Sequence, residues 1–287
     1  MIKKRIEKYY PLKFFTKYPV IAFVTLTFLI TYGIGVPADN WLSTTFKFPH
    51  PLDIYIPRFL TVTAPAISAM ILMWVNRKKF ELNIFRYFKK PAIFYFLIPL
   101  STFLISIITL IMAGVSPEIL WNSLRENWHL LYFHLILQVF IIGLGEEIGW
   151  RGWLLPKLNE QFGLLKATFI LLIIWILWHF LILFSDVAIL IPWLMIITGL
   201  TFTLSWTWIK FGNTAFLFAI IHGSVNFPQF FWDNLSAVEP QLQLKNWEIS
   251  GYVYLSIGLI ALVLLLRSAK QSDKRLSHPQ IPHSNKL

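Results

Sequence analysis

Three short stretches of an otherwise apolar chain carry side chains able to move protons or hold a charge. They are GEEIGWRGWLLPKL at 145–158, WILWH at 175–179 and HGSVN at 222–226. A carboxylate and a histidine sharing one water make a general-base site. A second histidine with an asparagine can donate hydrogen bonds to a developing oxyanion. Together these are the parts of a water-activating amide hydrolase that needs no Ser or Cys nucleophile. Helical spacing sorts the groups. Glu147 and Arg151 are four apart with the acid first, so they share a face and can pair. Glu146 lies roughly 100° around the helix and is free for chemistry. His222 with Asn226, and Trp175 with His179, are also four apart. Gly145, Gly149 and Gly152 form a small-residue stripe that predicts close approach by another helix.

The elements that must position these groups are membrane spans. The chain has 287 residues, 56% hydrophobic and only 14% charged, with 26 Phe, 13 Trp and a mean hydropathy of +0.62. No water-soluble fold of this length has interior enough for that much apolar side chain, and a disordered or fibrous chain would need high charge or a simple repeat. The absence of Cys removes disulfides, thiolate metal sites and thiol catalysis. Apolar runs near 18–36, 56–75, 92–113, 130–155, 164–184, 187–209, 213–232 and 250–267 predict about eight transmembrane helices. The expected fold is therefore an all-α, polytopic helical bundle, with a basic segment at 1–17, a membrane domain over 18–267 whose motif core is 140–230, and a polar, disordered tail at 268–287.

The net charge of +11 is topology information rather than a nucleic-acid footprint. Lys3, Lys4, Arg5, Lys8, Lys13, Lys17, the cluster at 77–90, Lys157, Lys166, Lys210 and the tail from Arg267 fall on one side. Lys47, Arg58, Arg125 and Lys245 fall on the other. The positive-inside rule then puts both termini in the cytoplasm. Counting ~1.5 Å per residue from the nearest basic boundary, Glu146 lies about 16 Å deep, His222 about 18 Å and His179 about 20 Å. Three polar centres on three helices thus reach one level near the midplane, where a buried charge costs ~2.5–3.5 kcal/mol and marks a functional position.

Rival readings of the same residues are weaker. Two His and two Glu at one depth could bind zinc, but no HExxH occurs and the ligands would come one per helix. GLGE at 143–146 has Glu where an intramembrane aspartyl protease has Asp, and Ser224 points to a different face from His222 and Asn226. His134, outside any motif, reads as a hydrogen-bonded interior residue. Asp186 reads as a helix N-cap, and most of the Trp residues read as interface anchors. The VPA at 36–38 is a poor signal-peptide site, because the apolar run before it is long for a signal.

In order and in successive polar-bearing spans, EExxxR (Glu146, Glu147, Arg151), aromatic-xxx-His (Trp175, His179) and HxxxN (His222, Asn226) resemble the motifs of the CAAX-protease and bacteriocin-processing (Abi) family of intramembrane glutamic endopeptidases. The resemblance covers about 140–230. It implies that Glu146 and His179 activate water and that His222 and Asn226 form the oxyanion hole, with Glu147 and Arg151 in support and no cofactor. Trp175 stands where the family usually has Phe, which implies a packing or pocket residue. The expected activity is hydrolysis of a peptide bond near the midplane, reached from the cytoplasmic side, in a peptide or protein substrate that is membrane-associated or lipidated. The expected location is a bacterial cytoplasmic membrane, with the lipid bilayer as the other partner and no nucleic acid. The alternatives are a non-catalytic partner such as a bacteriocin self-immunity factor, a zinc protease, and a proton-coupled transporter.

Overall fold

A computed structural model describes residues 15–75, 93–212, 214–233 and 238–277. The basic clusters expected at 1–17 and 77–90 fall mostly outside the described residues, as do His278 and His283. Eight helices occupy the eight apolar runs: α1 Pro19–Thr45, α2 Phe59–Val75, α3 Ile93–Ala113, α4 Pro117–Phe162, α5 Leu164–Trp178, α6 Val187–Phe211, α7 Ala215–Asp233 and α8 Pro240–Ser277. No strand occurs among the described residues. By length and apolarity alone, α1, α3, α4, α6 and α8 suffice to cross a bilayer, while α2 and α5 are shorter apolar helices. In α7 the polar His222 and Asn226 dilute the run. The protein is an all-α polytopic membrane bundle.

Helix ends follow local chemistry. Ser116 caps α4, its Oγ accepting from Ile119 N at 3.3 Å, with Pro117 at the first helical position. Asp186 caps α6, its Oδ1 accepting from Ala188 N at 2.7 Å, which is the role read from the sequence. Gly163 between α4 and α5 takes φ 76°, a left-handed value that side chains resist. Pro65, Pro99, Pro192 and Pro228 lie inside helices, as membrane helices tolerate when neighbours compensate.

Three boundaries differ from expectation. The helix carrying the acidic motif starts at Pro117 rather than near 130 and bends at Asn127 (φ −120°, ψ 18°). α8 starts at Pro240, ahead of its apolar run, and continues to Ser277 where a disordered tail was expected. No Gly or Pro stands between Arg267 and Pro279 to stop it. Residues 278–287 lie outside the described residues.

The core centres on Trp150, Trp175, Trp178, Leu171, Leu204 and Phe218. Tryptophan use thus departs from expectation. Trp150, Trp153, Trp175, Trp178, Trp193 and Trp232 are buried, whereas Trp41, Trp74, Trp121 and Trp128 face outward. Burial goes mainly to the Trp residues in and beside the motif segments, where the indole N–H groups of Trp150, Trp175 and Trp178 find partners. Close crossings rest on glycine. A Cβ on Gly223 of α7 would sit 2.8 Å from backbone atoms of Gln138 and Val139 in α4. Gly145 and Gly149 meet the α2 backbone at Val62 and Pro65. Gly152, the third member of the stripe, meets only its own helix, at Glu147 O.

Candidate active site

α4 is not a uniform helix. Wide π-helical turns at Gln138–Gly143 and Trp150–Leu154 bracket a regular α-helical piece, Leu144–Gly149, which holds both glutamates. Such turns insert one extra residue and recur at functional sites. They set the phase of Glu146 and Glu147 independently of the helix on either side.

The two carboxylates part as their spacing predicts. Glu147 is fully buried, and its Oε1 accepts from Arg151 Nη1 at 2.8 Å and from His222 Nδ1 at 2.8 Å. The Arg151 guanidinium, also fully buried, lies 4.1 Å from the centre of the Trp175 ring. Glu146 turns to the other side. Its Oε2 accepts two indole N–H groups, Trp175 Nε1 at 2.9 Å and Trp150 Nε1 at 3.3 Å, and the residue lines a cavity. Trp175 therefore does more than the packing expected of it, because a Phe at this position has no N–H to give.

His179 ends α5. Its Nδ1 lies 2.9 Å from Trp175 O, which makes Nδ1 the protonated nitrogen and leaves Nε2 as the basic one. Three indoles surround the ring, with centroids 4.8 Å (Trp178), 5.2 Å (Trp193) and 6.0 Å (Trp175) away. The break in the helix at this point is held from α1. The Tyr32 hydroxyl donates to Trp178 O at 2.5 Å and accepts from Phe180 N at 3.1 Å, while Trp178 Nε1 donates to Thr31 Oγ1 at 2.8 Å. His179 lines the same cavity as Glu146 and His222.

His222 is buried, with its ring 5.3 Å from Trp175 by centroid. Glu146, Trp175, His179, His222 and Asn226 all line one cavity of about 530 Å³. Glu147 and Arg151 stand behind it. All seven residues singled out in the sequence thus fall in one place, although no two of the three motifs are closer than 24 residues. Sequence reasoning missed Trp150, Trp178, Trp193, Thr31 and Tyr32. Trp150, four residues after Glu146, carried a readable signal in that spacing. Thr31 and Tyr32 lie almost 150 residues from the segment they brace and carried none. Elsewhere, His134 is buried with its Nδ1 2.8 Å from the Tyr55 hydroxyl, to which Gln138 Nε2 also donates. That is the interior role the sequence suggested.

The arrangement is chemically asymmetric. One carboxylate is neutralised by two cation-capable partners, and the other is held by neutral donors with its remaining face toward the cavity. Among the described residues, no three His, Asp or Glu side chains are grouped to share one metal ion.

Comparison with known proteins places this site in context. Residues 127–228, which include all three motifs, match the family described as Type II CAAX prenyl endopeptidase Rce1-like. A relative, CAAX prenyl protease 2 of Methanococcus maripaludis, is 27% identical over 182 residues, covering 59% of this chain and 65% of the relative. The match therefore spans just under two thirds of that protein's length. Over the span that carries the three motifs, the chain is thus similar to CAAX prenyl endopeptidases.

Proposed function

We propose that the protein is a membrane-embedded endopeptidase that hydrolyses a peptide bond with a water activated by Glu146 and His179. The observation that carries this reading is the division of labour between adjacent carboxylates, with Glu147 spent on Arg151 and His222 and Glu146 left facing a cavity with His179 and Asn226. The two indole donors fix Glu146 Oε2, and the carboxylate so held accepts a proton from water. Nε2 of His179, with Nδ1 committed to Trp175 O, is the second acceptor. The attacked carbonyl oxygen becomes negative and is met by Asn226 and by His222. Nδ1 of His222 donates to Glu147, which fixes the orientation of the ring beside the cavity. On collapse of the tetrahedral intermediate, the proton held by Glu146 or His179 passes to the leaving amine.

The test is turnover of quenched-fluorescent peptides, prenylated and unmodified, by purified protein in liposomes. Glu146→Gln is expected to lower kcat by roughly 10²–10⁴ without loss of folded protein, and turnover is expected to be indifferent to a zinc chelator. Wild-type rates in Glu146→Gln would remove Glu146 from the base role. Abolition by the chelator would move these residues into a metal site. A wild-type chain that cleaves nothing, yet whose Glu146→Gln form performs its cellular role, would favour the non-catalytic partner.

A further inference from the structure

We infer that the catalytic cavity is entered from the non-cytoplasmic face, so that its substrate is a polypeptide segment on that side: the outward end of a membrane-anchored chain or an exported peptide. Entry from the cytoplasmic side, the expectation drawn from sequence, is thereby reversed. From the level of Glu146 and His222, every helix that lines the cavity contributes residues in the same direction, away from its basic end. Measured along the helices at 1.5 Å per residue, Gln138 on α4 is about 28 Å from Lys157 and Trp193 on α6 about 25 Å from Lys210. Phe230 is about 22 Å from the start of α7, and Trp247 on α8 about 30 Å from Arg267. A hydrocarbon core is ~30 Å thick, so these lining residues lie in its far third. Arg58, which precedes α2 and lines the cavity, is exposed and marks the mouth.

The opposite half is built differently. A second cavity of about 440 Å³ shares Ile105, Leu200, Val225 and Tyr254 with the first and runs toward the basic ends of α3, α6 and α7, near Phe94, Phe211 and Leu217. Its four Ser and Thr hydroxyls are engaged by their own helices. Ser101 donates to Ile98 O at 2.8 Å, Thr102 to Pro99 O at 3.0 Å, Thr203 to Gly199 O at 2.9 Å and Thr207 to Thr203 O at 2.8 Å. An extended peptide passing that way would leave its backbone groups without partners, at several kcal/mol for each. The outer cavity offers Asn226 and the exposed Arg58 along its wall, beside Gln138 and Ser250, which are engaged with Tyr55 and Thr109. With the basic loops cytoplasmic, the polar entrance lies outside.

The direction of entry is a property of the cavity, whereas naming its occupant rests on the peptidase reading; the following experiment separates the two. The chain has no Cys, so single cysteines need no altered background. Arg58→Cys and Ile182→Cys report on the mouth, and Lys157→Cys and Lys210→Cys on the basic end. Each is expressed in a bacterial inner membrane and exposed to a membrane-impermeant maleimide in spheroplasts, then after permeabilisation, with denatured protein as the measure of total thiol. The expected result is at least tenfold greater labelling of both mouth positions than of the basic-end positions in intact spheroplasts, with the basic-end positions reacting only after permeabilisation. The reverse pattern, equal labelling of all four from outside, or mouth cysteines that react only when denatured would each overturn the inference. Adding Glu146→Gln to each background is expected to leave the labelling unchanged. A failed peptidase reading would show as unchanged turnover in that variant, whatever the labelling pattern.

Discussion

At the scale of single residues, the site turns on which donor each carboxylate oxygen accepts. Trp175→Phe keeps the ring beside Arg151 and His222 but removes the shorter of the two indole bonds to Glu146. Hydrogen bonds to charged groups contribute about 1.5–3 kcal/mol, so kcat is expected to fall about 10- to 100-fold with KM little changed. Steady-state kinetics and a pH–rate profile check this. A purely packing role would leave the profile where it is. The seven residues were legible because a membrane makes polar side chains conspicuous, and their i,i+4 spacings already assigned partners for Glu147 and Arg151. The partner of Glu146 was hidden. An aromatic among many aromatics gives no sign in sequence that its N–H is in use, and Trp178 and Trp193 were hidden for the same reason, whereas Trp150 was signalled by its spacing of four from Glu146.

At the scale of elements, the chemistry depends on how two helix irregularities are held. α5 stops at Trp178, and the Tyr32 hydroxyl bridges the break beside His179. Tyr32→Phe is expected to lower kcat about tenfold and to cost about 1–3 kcal/mol, read as a modest drop in Tm in detergent. A Tm drop with unchanged kcat would show that the bridge serves stability alone. The α4–α7 crossing places His222 against Glu147 and has no room for a side chain at Gly223. Gly223→Val is expected to destabilise by at least the ~1–3 kcal/mol of an overpacked core and to separate His222 from Glu147. Gly152→Ala, facing only its own helix, is expected to be near neutral by the same thermal assay. Sequence spacing treated the three glycines of the α4 stripe alike. The wide turn at Trp150–Leu154 lies between Gly149 and the rest of α4 and shifts the phase by a residue, which is why Gly152 leaves the interface. Nothing in the sequence announces such a turn.

At the scale of the whole molecule, the bundle encloses two cavities that meet at Ile105, Leu200, Val225 and Tyr254. Val225→Trp would fill that junction from a half-buried position. It is expected to raise KM for cleaved peptides at least tenfold while the protein remains monodisperse and folded, as measured by kinetics and size-exclusion chromatography. The order of the apolar helices was legible because ~20-residue apolar runs have few alternatives in a bilayer. The direction in which the interior opens was not, since it depends on which helix faces converge rather than on any run of residues. The two wide turns of α4 carry this point further. Removing one residue from Gln138–Gly143 would return that stretch to regular helix and rotate everything before it by about 100°, carrying Gln138 off the cavity wall while Glu146 stayed in place. Glu146 thus sits on a short segment geared separately from the stretch that carries Gln138, so a single-residue gain or loss there would re-index that wall of the cavity relative to Glu146.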